Sequence, residues 1–135
     1  DGADGHRGEP EARTIAAVAS RVSRGASVID GAARAEPLLD LKEREALAPL
    51  LDDEVRLVSL SSSMGALGAA TSLVQVIALA QLLRRGLLPP IAGLRKPAEG
   101  PLLPVTSVSS TVARTALALC TGAPGLVGAV RVELP

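Results

Sequence analysis

From Val58 to Leu83 the chain runs through 26 residues without one charged side chain, although 21% of its residues are charged. That run dictates where its helix can sit. Residues 66–83 would span ~27 Å as an α-helix, close to the ~30 Å of a bilayer core. Thr71, Ser72, Gln75 and Gln81, and the abundance of alanine, argue against a membrane span. Thr71, Ser72 and Gln75 fall within an arc of roughly 100° on a helical wheel, but Leu79 and Leu82 share it. A helix without a charged face belongs inside a large core or a membrane. The expectation is a helix buried on all sides within an α/β core, with a second polypeptide supplying part of the cover. The alternative is a membrane anchor over 66–83.

Composition narrows the core further. Apolar residues make up 47%, with no Phe, Tyr or Trp, so Ala, Val, Leu and Ile must fill closely packed layers without the large areas that rings bury. At 135 residues the chain suffices for one domain with a modest core. Residues 1–57 carry 12 acids and 8 bases, and residues 58–135 carry 2 acids and 6 bases. Neither block is dense enough for a nucleic-acid surface, and no ring is available for base stacking. A single cysteine, Cys120, rules out an internal disulfide and fits a reducing, cytoplasmic setting. No signal-type segment opens the chain. Its start without Met in a Gly/Asp-rich loop suggests a processed, trimmed or split product.

Local patterns predict a mixed α/β order of helix, strand, helix, strand, strand. "EPEARTIAAVASRV" places Ile15, Val18, Ala19 and Val22 at helical spacing, with Pro10 and the acids Glu9 and Glu11 near its start. Residues 24–36, rich in Gly, Ala and Arg, read as a connection. "LLDLKEREALAPLLDDE" reads as a solvated, helix-prone surface element interrupted at Pro49. Together they make a long surface connection at about 24–54. "VRLVSL" reads as a short strand. Residues 66–85 form the clearest helix, stopped by Arg84, Arg85 and Gly86. Five prolines in residues 87–104 impose an extended connection. "VARTALALC" and "LVGAVRVEL", joined by "TGAPG", read as a hairpin.

Three of these stretches carry a family resemblance. "DGADGHRGEPEARTIAAV" resembles the β-ketoacyl synthase segment H-G-T-G-T-x-x-G-D-P-x-E-A, with Gly8, Glu9, Pro10, Glu11 and Ala12 matching its end after one deletion. "SLSSSMGALGAATSLVQVIALAQLLRRGLLPPIAGL" resembles K-S-M-x-G-H-x-x-G-A-A-G, its helix and the following G-x-x-P-P-T. "ALALCTGAPGLVGAVRVE" resembles the closing hairpin with the turn G-F-G-G-x-N. The order and approximate spacing of all three agree. The resemblance implies a thiolase-like layered fold of which residues 1–135 form the C-terminal half, with the helix after "LGAA" in a central layer between sheets.

The same resemblance implies a chemistry that this chain has lost. Family condensing enzymes use a nucleophilic cysteine from the other half, two histidines and a lysine. Carried over, the first histidine falls on Asp1, the lysine on Leu60, the second histidine on Gly65 and the turn phenylalanine on Ala123. A catalytically silent subunit is expected, similar to the chain-length-factor partners of type II polyketide synthases. It would pair with a ketosynthase chain carrying the nucleophilic cysteine and the missing half, and possible contact with an acyl carrier protein follows from the same likeness. Gly65, Ala66, Gly68 and Ala123 would then shape space around an acyl-chain tunnel. A purely architectural piece of an inactive ketosynthase is the alternative.

The remaining candidates read as structural. His6, the sole histidine, reads as a solvated loop residue, and Cys120 as a small buried one. Asp1, Asp4, Glu9 and Glu11 lack the spacing of a calcium loop, and "GALGAA" lacks the full dinucleotide fingerprint, so neither metal nor cofactor is expected. Arg84 and Arg85 fit a helix C-terminus, with contact to an acidic carrier as the functional alternative.

Overall fold

The computed structural model describes residues 9–32, 37–51, 54–65, 67–97, 99, 102–121 and 126–135. In chain order they form α1 (Glu9–Ala19), β1 (Val28–Asp30), α2 (Pro37–Leu47), β2 (Arg56–Val58), α3 (Ser61–Met64) and α4 (Thr71–Arg85). There follow β3 (Leu87–Leu88), β4 (Leu103–Pro104), β5 (Ser109–Ser110), β6 (Thr115–Thr121) and β7 (Val127–Glu133). Five strands make one sheet in the order β4-β2-β1-β6-β7, and β3 pairs with β5 apart from it. β1 runs parallel to both β2 and β6, β2 parallel to β4, and only β7 is antiparallel, to β6.

Strand periodicity divides the core into two layers. Along β6, Ala116, Ala118 and Cys120 join Val28, Val58, Leu79, Leu83 and Val132 on the α4 face. Leu117 and Leu119 join Ile29, Leu57, Ile15, Ala19 and Leu47 on the face covered by α1 and α2. The small side chains on the first face let α4 lie close to the sheet, while the leucines fill the second. Ile15 and Ala19, four residues apart, are the buried stripe of α1, as its apolar spacing requires.

The stretch 24–54 departs from the expected surface connection. It contains β1, the middle strand of the sheet, and all three of its residues are buried. So short a strand, hydrogen-bonded on both edges and covered on both faces, leaves no alternation to read. α2 also differs from a solvated element, because Glu43 and Arg44 are buried. Glu43 Oε1 accepts the Ala32 N–H at 3.0 Å, and Arg44 Nη2 donates to the Leu102 carbonyl at 2.9 Å. Side chains that a linear reading assigns to solvent here satisfy backbone groups just after β1 and just before β4.

The charge-free helix begins later than expected. Gly65 and Gly68 have φ of 72° and 60°, left-handed conformations that an α-helix excludes. Residues 68–70 therefore form a 3-10 turn before α4 starts at Thr71, and the Thr71 hydroxyl accepts the Leu67 N–H at 2.8 Å. Gly86, at φ 65°, closes α4 by donating to the Leu82 and Leu83 carbonyls, after the exposed Arg84 and Arg85. Burial on all sides is not met within this chain. Gln75, Leu79 and Leu83 are buried against the sheet, but Leu73 and Ile77 on the outer side are 64% and 53% exposed. The five-stranded sheet covers one face, and no described residue buries Leu73 and Ile77 on the other. Among the described residues no helix is long and apolar enough to cross a membrane.

Candidate functional site

The C-terminal ends of β1 and β2 lie side by side and lead into the corner that carries two of the expected positions. Leu60 follows β2, is 6% exposed, and packs in the α4-side core with Val58 and Leu79. An alkyl chain there offers neither charge nor donor. Gly65 ends α3 and its N–H donates to the Ser61 carbonyl. A Cβ at Gly65 or at Gly68 would meet nothing within 4 Å, so both glycines border open space. Asp1, Ala66 and Ala123, and with them His6 and Asp4, lie outside the described residues.

A polar cluster ties this corner to the sheet and to α4. Asp30, the last residue of β1, is fully buried. Its Oδ1 accepts the Leu60 N–H at 2.8 Å and its Oδ2 accepts Gln75 Nε2 of α4 at 3.1 Å. Burial pushes its carboxyl from the usual 3.8 up to about 7, and the two hydrogen bonds only partly oppose that. Beside it the Ser61 hydroxyl donates to the Ala32 carbonyl at 2.8 Å. Ser59 and Ser61 hydroxyls lie 3.1 Å apart, and the Ser62 hydroxyl donates to the Ser59 carbonyl at 2.6 Å. These bonds fix Ala32, just after β1, against α3. They bring together no nucleophile and base of the kind covalent catalysis needs.

Asp30 carries no signal of its own in the sequence, because it sits in a Gly-, Ala- and Arg-rich stretch that reads as a connection. Gln75 was visible as a polar residue in a neutral helix, and its four-residue spacing from Leu79 and Leu83 was the signal that it faces inward. Cys120 is a free, buried thiol in β6 opposite Gly128. Among the described residues no three His, Cys, Asp or Glu side chains gather as metal ligands would.

The family described as beta-ketoacyl synthase, C-terminal domain, matches residues 7–95, about two thirds of the chain. The chain belongs to that family. The match takes in the β1–α2–β2 unit and α4 but not Asp1 or Ala123. A solved complex described as "AntDE:AntF (apo): type II PKS acyl-carrier protein in complex with its ketosynthase bound to the hexaketide" has the same architecture. Its TM-score is 0.73 at 20% identity, over 82% of this chain and 28% of that one. The fold of this ketosynthase C-terminal domain is therefore thiolase-like, and the chain spans little more than a quarter of that neighbour's length. A comparison with curated proteins returns no match.

Proposed function

We propose that this ketosynthase C-terminal domain is catalytically silent, pairs with a ketosynthase chain, and helps bound the growing acyl chain, in the manner of a chain-length factor. The carrying observation is the corner after β2: the lysine position is Leu60, held in the core, and the second histidine position is Gly65, at a left-handed turn. Neither can donate to a developing oxyanion or hold a charge near one. An acyl carrier protein enters only through the neighbour, which is described as a complex with one.

The first histidine position is better placed on Ala32 than on Asp1. Laid over residues 32–44, the motif H-G-T-G-T-x-x-G-D-P-x-E-A needs no deletion and keeps, of its fixed residues, its Asp at Asp40 and its Glu at Glu43. Two contacts support this register. The Glu43 carboxylate accepts the Ala32 N–H, and Ser61, beside the lysine position, holds the Ala32 carbonyl. The three substituted positions then lie on adjacent strand ends, and alanine there is as silent as glycine at 65.

The outer face of α4 supports pairing. Leu73 and Ile77 form an apolar stripe at i, i+4 on a helix whose other face is already packed. The function is tested by co-expressing the chain with a ketosynthase and measuring product length from acyl-carrier thioesters. Gly65→Trp should shorten the products, since the new ring enters open space beside the corner. Gly65→Ala, which carries the same backbone strain without the ring, should leave them closer to the original. Products of unchanged length in both variants would overturn tunnel shaping and leave the architectural reading. Turnover by the pure chain alone would overturn silence.

A further inference from the structure

The geometry points to a proton-controlled latch: the Asp30 carboxyl clamps the corner after β2 to α4, and loss of its proton loosens residues 60–70. The inference concerns this chain's own fold and stands whether or not it pairs with a ketosynthase.

Three segments meet at one side chain. Asp30 ends the middle strand, Leu60 N–H opens the corner, and Gln75 reaches down from α4. A buried carboxylate survives only where charges or enough donors replace its hydration. Among the described residues two donors are present here, and charges are not. β2 offers only Arg56, exposed at its opposite end. β6 contributes the thiol of Cys120 but no charge, and α3 contributes nothing ionisable. α4 carries Arg84 and Arg85 in its last turn, roughly 15 Å along the helix from Gln75. On β7 Arg131 and Glu133 pair with each other at 3.0 Å. Glu43 of α2 engages Ala32 on the other face, and Arg44 engages the Leu102 carbonyl. The absence of charge from Val58 to Leu83 thus has a second consequence, for it leaves Asp30 without a counter-ion among the described residues. Its raised affinity for a proton follows.

The corner is the natural route for water to reach the ion. Gly65, Leu67, Gly68, Ala69 and Ala70 are exposed, and two of these residues have left-handed backbone. By contrast the flanks of Asp30 along the sheet are the buried Val58 and Ala118. Gln75 can follow either state, donating through Nε2 to the ion or accepting through Oε1 from the acid. The Leu60 N–H can only donate, and the chain beyond it runs into the exposed residues from Gly65 to Ala70.

The test is amide hydrogen exchange on the 135-residue chain at pH 5 and pH 8, corrected for intrinsic rates, with the Asp30 side-chain carboxyl followed by carbon NMR. Opening that hydrates the ion should lower protection over residues 60–70 at least tenfold between the two pH values, with the carboxyl titrating near neutrality. Asp30→Asn keeps an acceptor for Leu60 and should remove that pH dependence. Gln75→Leu removes a donor and should move the carboxyl midpoint upward, which keeps the test open if Asp30→Asn folds poorly. A midpoint near 4 would overturn the latch, as would the same loss of protection in Asp30→Asn as in the parent chain.

Discussion

A carboxyl group without exposed surface changes the balance between folded and unfolded chains whenever it ionises. Asp30 titrates near 3.8 when unfolded and near 7 when folded, so between those values the folded chain binds more protons. Stability is then greatest below about pH 4, falls by about 1.4 kcal/mol per pH unit toward 7, and levels off above it. Asp30→Asn should erase that slope, gaining up to a few kcal/mol over the parent at pH 8 and nothing at pH 4 in urea unfolding at each pH. Leu60 offers a contrasting case. Its position resembles a catalytic lysine's, but its neighbours are Val58 and Leu79. Leu60→Lys should destabilise the chain by about 3 kcal/mol or more, because an unpaired ammonium would replace a packed alkyl group. Condensing activity in that variant would contradict this account. The loss of a charge at 60 could be read in the sequence from the motif spacing. The retained charge at 30 could not, because its significance lies in pairings thirty and forty-five residues away.

Among the elements, those with a long enough period were legible and those defined by neighbours were not. α1, α4 and the β6–β7 hairpin each repeat a pattern over seven or more residues. β1 has three residues and owes its existence to β2 and β6 on its two edges. The lower end of the expected helix fails because Gly68 adopts positive φ, a backbone property that "GALGAA" permits without requiring. The two faces of α4 should answer mutation differently. Leu79 is fully buried over the sheet, and Leu79→Ala should cost about 2–5 kcal/mol through lost burial and a cavity. Leu73, largely exposed, should cost less than about 0.5 kcal/mol on the same change in the chain alone. Equal losses at both positions, measured by denaturant unfolding, would mean that the outer face is already covered.

At the scale of the whole molecule, the exposed stripe and the shortness of the chain point the same way. A neutral helix that covers one sheet with one face needs apolar cover for the other, and among the described residues the only other sheet is the short β3–β5 pair, which leaves Leu73 and Ile77 exposed. Its outer stripe resembles a partner surface more than the isolated apolar residues that most surfaces carry. The ketosynthase neighbour, of which this chain matches 28%, has the additional length from which such cover can come. The isolated chain should therefore bind a hydrophobic dye at α4, and a Leu73→Lys, Ile77→Lys double variant should bind several-fold less while unfolding at a similar denaturant concentration. With a co-expressed ketosynthase chain, the parent should co-purify and lose dye binding, and the double variant should do neither. A double variant that still co-purifies would move the contact away from α4. The neutral run from Val58 would then have to be explained by the needs of this chain alone.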